Sequence, residues 1–209
     1  MANPSESRAD QLLRLAAELF AARGYPAVGM GAIGEAAGIS GPAVYRYFPS
    51  KQSLLEAVCD RAMDRMLDAA TRAVDEYDEA DPRLALEALV TLHVGFAVDD
   101  RVELGVWVRE QRHLTAEMRQ SLRTRSRAYE MPWRSVVGQL RPDLDTDEVA
   151  FAVYSAIAML NNSTVAPTEL PNHRLRTILR RMTLSALLVR RAPGALSVEH
   201  DAATGVAGV

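Results

Sequence analysis

One stretch of the chain carries side chains suited to chemistry with a polyanion. Over Ser40-Gly41-Pro42-Ala43-Val44-Tyr45-Arg46-Tyr47-Phe48, small residues come first, then two phenols and a guanidinium, and Lys51 follows shortly after. Tyrosine hydroxyls donate to phosphate oxygens, and their rings stack on thymine methyls. A guanidinium forks onto the O6 and N7 acceptors of guanine. A lysine at the start of a helix meets a phosphate with its own charge and the positive end of the helix together. Lys51 is the only lysine among 24 basic residues.

Those side chains need a scaffold that holds a short helix outward, and the flanking residues spell one. Gly34 is the small residue required where a second helix crosses the first. Gly38 tolerates the positive φ of a tight turn. Ile33, Ala37, Ile39 and Val44 are spaced as apolar plugs, and Ser40 is a suitable N-cap. Pro42 falls in a first helical turn, where its missing N–H costs nothing. The pattern is a helix-turn-helix. Gly41, Ala43, Tyr45, Arg46 and Tyr47 lie on its exposed face, and the small residues let the helix end enter a major groove.

Other chemistry is thinly represented. Gly29-Met30-Gly31-Ala32-Ile33-Gly34 matches G-x-G-x-x-G, but a helical pattern precedes it where a dinucleotide site needs a strand. Glu110 and His113 form half of a di-iron Glu-x-x-His pair without a second copy, and are expected to be a surface or pocket feature. His93, His173 and His200 are scattered, and Cys59 is expected in the core. No catalytic grouping, metal set or cofactor motif emerges, so no enzyme activity and no cofactor are expected. With one cysteine an internal disulfide is impossible. The opening MANPSESRAD lacks the apolar run of a signal peptide, and no apolar run reaches the ~18–20 residues of a membrane span. A cytoplasmic location without membrane contact is expected.

The 209 residues are 48% hydrophobic and 24% charged, with a net charge of −3, an ordinary globular balance that disfavours a nonspecific architectural DNA binder. The first sixty residues hold five basic and six acidic side chains, so any DNA reading rests on a few placed groups. Helical periodicity begins near Arg8 and stops at Gly24-Tyr25-Pro26. It returns over 30–37, 41–48 and then a long stretch from Ser50 that fades between Asp75 and Asp81. Further helices are expected over 82–98, 100–112, 115–140, 145–161 and 171–190, with Pro132 kinking or splitting the long one. The fold class is all-α, with no strand pattern. The expected organisation is a three-helix DNA-binding domain over 8–54, a larger helical domain over 55–191 and a disordered tail over 192–209.

Together these residues resemble the TetR family of transcriptional repressors. The resemblance rests on Leu19-Phe20 with Gly24, on Ile33, on Ala37-Gly38-Ile39-Ser40, on Val44-Tyr45-Arg46-Tyr47-Phe48, and on Ser50-Lys51-Gln52-Ser53-Leu54-Leu55. It implies that Ser40, Gly41, Pro42, Ala43, Tyr45, Arg46 and Tyr47 meet DNA and that Lys51 holds a phosphate. Two positions depart from the family pattern. Gly29-Met30-Gly31 replaces a capping threonine, which leaves any phosphate contact there to backbone N–H groups. Gly34 stands where alanine is usual, expected to be a small loosening.

The resemblance further implies a ligand cavity and a two-fold dimer in the larger domain. Phe96, Trp107, Tyr129, Trp133 and Tyr154 are candidates for apolar and aromatic lining, with Arg109, Gln111 and Asn161 as polar anchors. Trp107-Val108-Arg109-Glu110 resembles family members that sense fatty acyl-CoA or related lipids. Ala152, Ser155 and Ala156, with Ile178, Met182 and Ala186, are candidates for the dimer interface, with monomer core as the alternative. The expected function is sequence-specific DNA binding to a palindromic operator by a homodimer, as a repressor released by a hydrophobic or acyl-CoA-like small-molecule effector. A co-repressor action stays open. The rival is a helical ligand-binding protein or enzyme whose helix-turn-helix is vestigial.

Overall fold

The computed structural model describes residues 7–77 and 81–189, the side chains of 74–77 excepted. The expected tail from Ala192, and His200 within it, lie outside these residues. Among the described residues the fold is all-α, with nine α-helices and no strand.

Helix α1 (Arg8–Arg23) starts where the Ser7 hydroxyl accepts the Asp10 N–H at 3.1 Å. It buries Leu12, Ala16 and Phe20 along one stripe and ends at Gly24, whose φ of +77° is open to glycine at little cost. A 3₁₀ turn over Tyr25–Ala27 leads into α2 (Met30–Ala36), and Gly38 at φ +69° turns the chain into α3 (Gly41–Val44).

Helix α3 is shorter than the expected 41–48. The N–H groups of Arg46 and Tyr47 bond three residues back, to Ala43 at 3.3 Å and Val44 at 3.0 Å. Pro49 disfavours α geometry at Phe48, so the segment closes as tight turns.

Helix α4 (Lys51–Tyr77) opens on a reciprocal pair: the Ser53 N–H donates to the Ser50 hydroxyl at 2.9 Å, and the Ser50 N–H donates to the Ser53 hydroxyl at 3.1 Å. Asp81 caps α5 (Pro82–Asp99) through the Arg83 and Leu84 N–H groups. Then come α6 (Arg101–Glu110), a 3₁₀ turn over Gln111–His113, and α7 (Ala116–Leu140). Pro132 lies inside α7 without splitting it. The residue four positions earlier, Ala128, is exposed, so water can solvate the carbonyl that proline leaves without an N–H. Helix α8 (Thr146–Ser163) begins with a capping box between Asp145 and Glu148, and α9 (Asn172–Leu188) closes the fold.

Two apolar cores form, and α4 runs through both. One gathers Leu12, Phe20, Ile33, Val44, Leu54 and Leu55 with Val106 of α6 and Leu122 of α7. The other gathers Met66 and Ala70 of α4 with α5, the C-terminal half of α7, α8 and α9. Trp107 packs against both. The boundary between the cores therefore falls along α4, between Met63 and Met66, and the first core borrows side chains from α6 and α7.

Candidate nucleic-acid interface and effector cavity

The two helices of the helix-turn-helix dock at backbone distance. A β-carbon on Gly34 would lie 2.9 Å from the Ile39 carbonyl oxygen and 3.0 Å from the Gly41 nitrogen. One on Gly41 would lie 3.1 Å from the Gly31 Cα. Gly34 is thus a strict steric requirement, which corrects the expectation of a small loosening. The departures at positions 31 and 34 belong to one arrangement, in which α2 and α3 approach through three glycines.

That packing turns Tyr45, Arg46 and Tyr47 outward, with the two tyrosines 53% and 47% exposed. Among the described residues none of the three makes a side-chain hydrogen bond, so their polar ends are open to a partner. Val44 is fully buried beneath them, and Phe48 packs against the same core. Pro42 is exposed, and Gly41 and Ala43 are half-exposed.

Ser40 occupies the N-cap position of α3 but its hydroxyl makes no capping bond. Pro42 has no N–H to give, and the Ala43 N–H bonds the Ser40 carbonyl at 2.9 Å. Ser40 is left exposed. Gly29 likewise caps α2 without a side-chain bond.

Lys51 stands differently from the expected phosphate ligand. Its Nζ donates to the carbonyls of Tyr25 at 3.0 Å and Pro26 at 3.2 Å and lies 4.4 Å from the centroid of the Tyr25 ring. In this structure Lys51 holds the turn between α1 and α2.

The same turn is tied to the larger domain. Glu110, buried at the end of α6, accepts the Tyr25 N–H at 3.2 Å, and its second oxygen lies 3.7 Å from His113 Nε2. Gln52 donates to the His113 carbonyl at 2.7 Å, and Glu56 accepts the Thr115 N–H at 3.1 Å. The Glu110–His113 pair, expected as a surface or pocket feature, is a clasp between the two halves of the molecule. Sequence reasoning missed it because the partners are 85 and 61 positions away. Cys59 is buried nearby, and burial followed by the charge of Glu56 pushes its thiol up to about 12.

Next to the clasp, α4, α6, α7 and α8 enclose a cavity of about 600 Å³. Five of the eight expected lining residues border it: Trp107, Gln111, Tyr129, Tyr154 and Asn161. Arg109 does not. It lies two residues beyond Trp107, about 200° around the helix, and donates to the Ala21 carbonyl of α1 at 3.3 Å. Trp133 is fully buried behind the cavity, its ring centroid 6.0 Å from that of His93 and 6.2 Å from that of Tyr129. Phe96 packs on the second core, with the Arg65 guanidinium 5.7 Å from its ring.

The cavity also holds residues that the sequence reading passed over. Arg119, Arg123 and Arg127 recur every fourth residue on α7, and Arg134 follows one side of the same helix. Arg119 donates to the Leu114 carbonyl, Arg134 pairs with Glu130 and Arg123 donates to the Gln120 side chain at 2.8 Å; Arg123 and Arg127 are exposed. The four-residue period was visible in the sequence; that it faced a cavity was not. His93 is the other omission. Fully buried on α5, it lies 2.8 Å from the Tyr129 hydroxyl and 3.0 Å from Asn161 Oδ1, and burial drives its imidazole down to about 4.

An apolar strip covers the outer face of α8 and α9. Phe151 is 73% and Tyr154 60% exposed; Ile178, Met182, Ala186 and Ser155 are also exposed, and Ala152 is half-buried. Ala156 is the exception among the expected interface residues. It is only 4% exposed and packs into the second core of its own chain, on the face of α8 opposite the strip.

A helix-turn-helix with an open recognition face, joined to a helical domain around a cavity, defines a DNA-binding regulator. Residues 12–58 match the bacterial regulatory proteins of the tetR family, and residues 79–165 match the C-terminal domain of tetracyclin repressor-like proteins. The chain belongs to the TetR family of transcriptional regulators. It is 30% identical over 151 residues to the HTH-type transcriptional repressor KstR2 of Rhodococcus jostii, covering 69% of this chain and 72% of that protein. It is 37% identical over 97 residues to the HTH-type transcriptional activator FasR of Mycolicibacterium smegmatis, covering 46% of this chain and 43% of that protein. The match therefore spans less than half the length of FasR. The solved structure of AibR in complex with isovaleryl coenzyme A and operator DNA shares the fold, with a TM-score of 0.72 at 20% identity over 84% of this chain and 97% of that one. Among the described residues no helix is long and apolar enough to cross a membrane.

Proposed function

We propose that the protein is a homodimeric repressor that holds a palindromic operator and leaves it when an acyl-CoA-type effector enters the cavity. Tyr45, Arg46, Tyr47 and the Ser40 hydroxyl read the major groove, with Gly41, Pro42 and Ala43 letting the helix end approach. Lys51 meets a phosphate while it braces the Tyr25–Ala27 turn. The exposed strip of Phe151, Ile178, Met182 and Ala186 pairs with its counterpart across a two-fold axis and sets the spacing of the two recognition helices.

The observation that carries the reading is the continuity between cavity and DNA-binding domain. Gln111 and Leu114 line the cavity, and between and beside them stand His113 and Glu110, which clasp Gln52 and the Tyr25 N–H. An effector that displaces the junction of α6 and α7 shifts the turn before α2 and the start of α4, and with them the recognition helix. A useful response requires a coupling of about 1–3 kcal/mol between the two sites. The effector class rests on the chemistry of the cavity: exposed arginines at positions 123 and 127 for an anionic head, and Met63, Met66, Leu122 and Ile157 for an apolar tail. The isovaleryl coenzyme A held by AibR is a ligand of that chemistry.

Footprinting on the DNA upstream of the coding region, with and without acyl-CoA thioesters of increasing chain length, tests the proposal. Protection of a short palindrome, lost on adding thioester, is the expected result. Tighter protection would make the effector a co-repressor. Absence of sequence-selective binding on a random duplex library would remove the repressor reading.

A further inference from the structure

One residue bordering the cavity, Asn161, belongs to a buried hydrogen-bond network with His93 and Tyr129. His93 is buried and neutral, so its ring carries one N–H and one lone pair. Its Nε2 lies 3.0 Å from Asn161 Oδ1, an atom that only accepts, so the proton is on Nε2. Nδ1 is then the acceptor, and the Tyr129 hydroxyl donates to it across 2.8 Å. The carboxamide oxygen of Asn161 is thereby engaged by His93. What Asn161 has left is its Nδ2, which makes no hydrogen bond among the described residues. Asn161 borders the cavity, so this NH₂ is a hydrogen-bond donor available to an occupant.

We infer that Asn161 is a specificity-determining residue, held by His93 and donating through Nδ2 to the thioester carbonyl oxygen of an acyl-CoA effector. The inference rests on the effector class proposed above. An acyl-CoA changes from anionic to apolar at its thioester, where it carries a carbonyl oxygen. The lining of the cavity holds the same pieces: the exposed Arg123 and Arg127, the apolar Met63, Met66 and Leu122, and the Asn161 donor. A site that commits a donor to one ligand oxygen discriminates against an analogue lacking it, because the donor then loses that partner.

The test is calorimetric titration with acyl-CoA thioesters from isovaleryl to palmitoyl, each beside the S-alkyl-CoA thioether of equal length, which lacks only the carbonyl oxygen. The wild-type chain is expected to prefer thioester over thioether by about ten-fold or more. Asn161→Asp keeps an oxygen for His93 but turns an acceptor toward the cavity. Its carboxylate repels both CoA ligands alike, and beyond that common loss it is expected to weaken thioester binding by a similar factor, so that the preference vanishes. Equal binding of the two ligands by the wild-type chain, or an equal loss of both in Asn161→Asp, overturns the role of Asn161 and leaves an acyl-CoA effector standing. If neither ligand binds at any length, the acyl-CoA effector falls and this inference with it. The wild-type comparison needs no variant, so a poorly folding Asn161→Asp does not weaken the test.

Discussion

The backbone N–H of Tyr25 donates to the side chain of Glu110 at 3.2 Å, a bond that joins the turn before α2 to the end of α6. Both groups are buried, and an N–H deprived of its acceptor there costs about 1–3 kcal/mol. Glu110→Ala is therefore expected to lower stability by that amount. It is also expected to change operator affinity without touching a DNA-facing residue. Urea denaturation and operator titration at fixed salt check the two effects. Unaltered stability together with unaltered affinity would remove the clasp from the mechanism.

Gly34→Ala and Gly31→Ala separate steric need from composition. The new methyl at position 34 meets three backbone atoms of residues 39–41 at 3.0 Å or less, and that backbone cannot rotate away. Overpacking of this kind costs about 1–3 kcal/mol, and here it pries α2 from α3. At position 31 the added β-carbon meets nothing within 4 Å, and alanine is the better helix former. Gly34→Ala is expected to lose stability and operator binding together, and Gly31→Ala to keep its stability, as thermal melts and mobility shifts will show.

The Arg46 side chain is exposed and makes no hydrogen bond among the described residues, so Arg46→Ala has nothing in the fold to break. It is expected to leave the melting temperature unchanged and weaken operator binding by about 1–3 kcal/mol, relaxing specificity at one base pair. Lys51→Ala is expected to differ by losing stability as well, because Lys51 holds the Tyr25 and Pro26 carbonyls. Measuring affinity against salt for both variants separates base contact from phosphate contact.

His93 predicts a stability profile in acid. Its imidazole is held down to about 4 by burial, below the ordinary 6.5, so between those values the unfolded chain binds a proton that the native chain refuses. The contribution is fully present above pH 6.5 and is lost as pH falls toward 4, reaching on the order of 3 kcal/mol. His93→Gln keeps a donor but does not titrate. The difference between the two proteins in urea midpoint is expected to shrink from pH 7 to pH 4.5. A difference that stays constant across this range would mean that His93 takes up its proton equally in both states.

The strip on α8 and α9 predicts a dimer that a single charge can split. Met182→Glu places a carboxylate on the exposed apolar face without entering either core. Light scattering is expected to show half the mass of the wild-type protein, with an unchanged helical circular dichroism spectrum. A wild-type protein that is already monomeric would remove the paired reading of a palindrome.

Local rules carried the first half of this molecule into view from its sequence. Glycines at 24 and 38, the apolar period from Leu12 to Phe20 and the run from Val44 to Lys51 act through neighbours within a few residues, so the helix-turn-helix and its exposed tyrosines were legible without coordinates. The five aromatic and polar residues that reached the cavity were legible only as types. The sequence could not distinguish Trp107, which lines it, from Trp133, which lies behind it, because both sit on apolar faces and only the packing of α5 against α7 and α8 separates them. Tertiary structure alone decided the rest. It brought Glu110 to Tyr25 and His93 to Asn161, sent Ala156 inward and Ile178 outward, and turned Gly34 from a tolerated departure into a requirement. The first two depend on groups 85 and 68 positions apart meeting at bonding distance. Periodicity says which face of a helix is apolar, and only the fold says what that face meets.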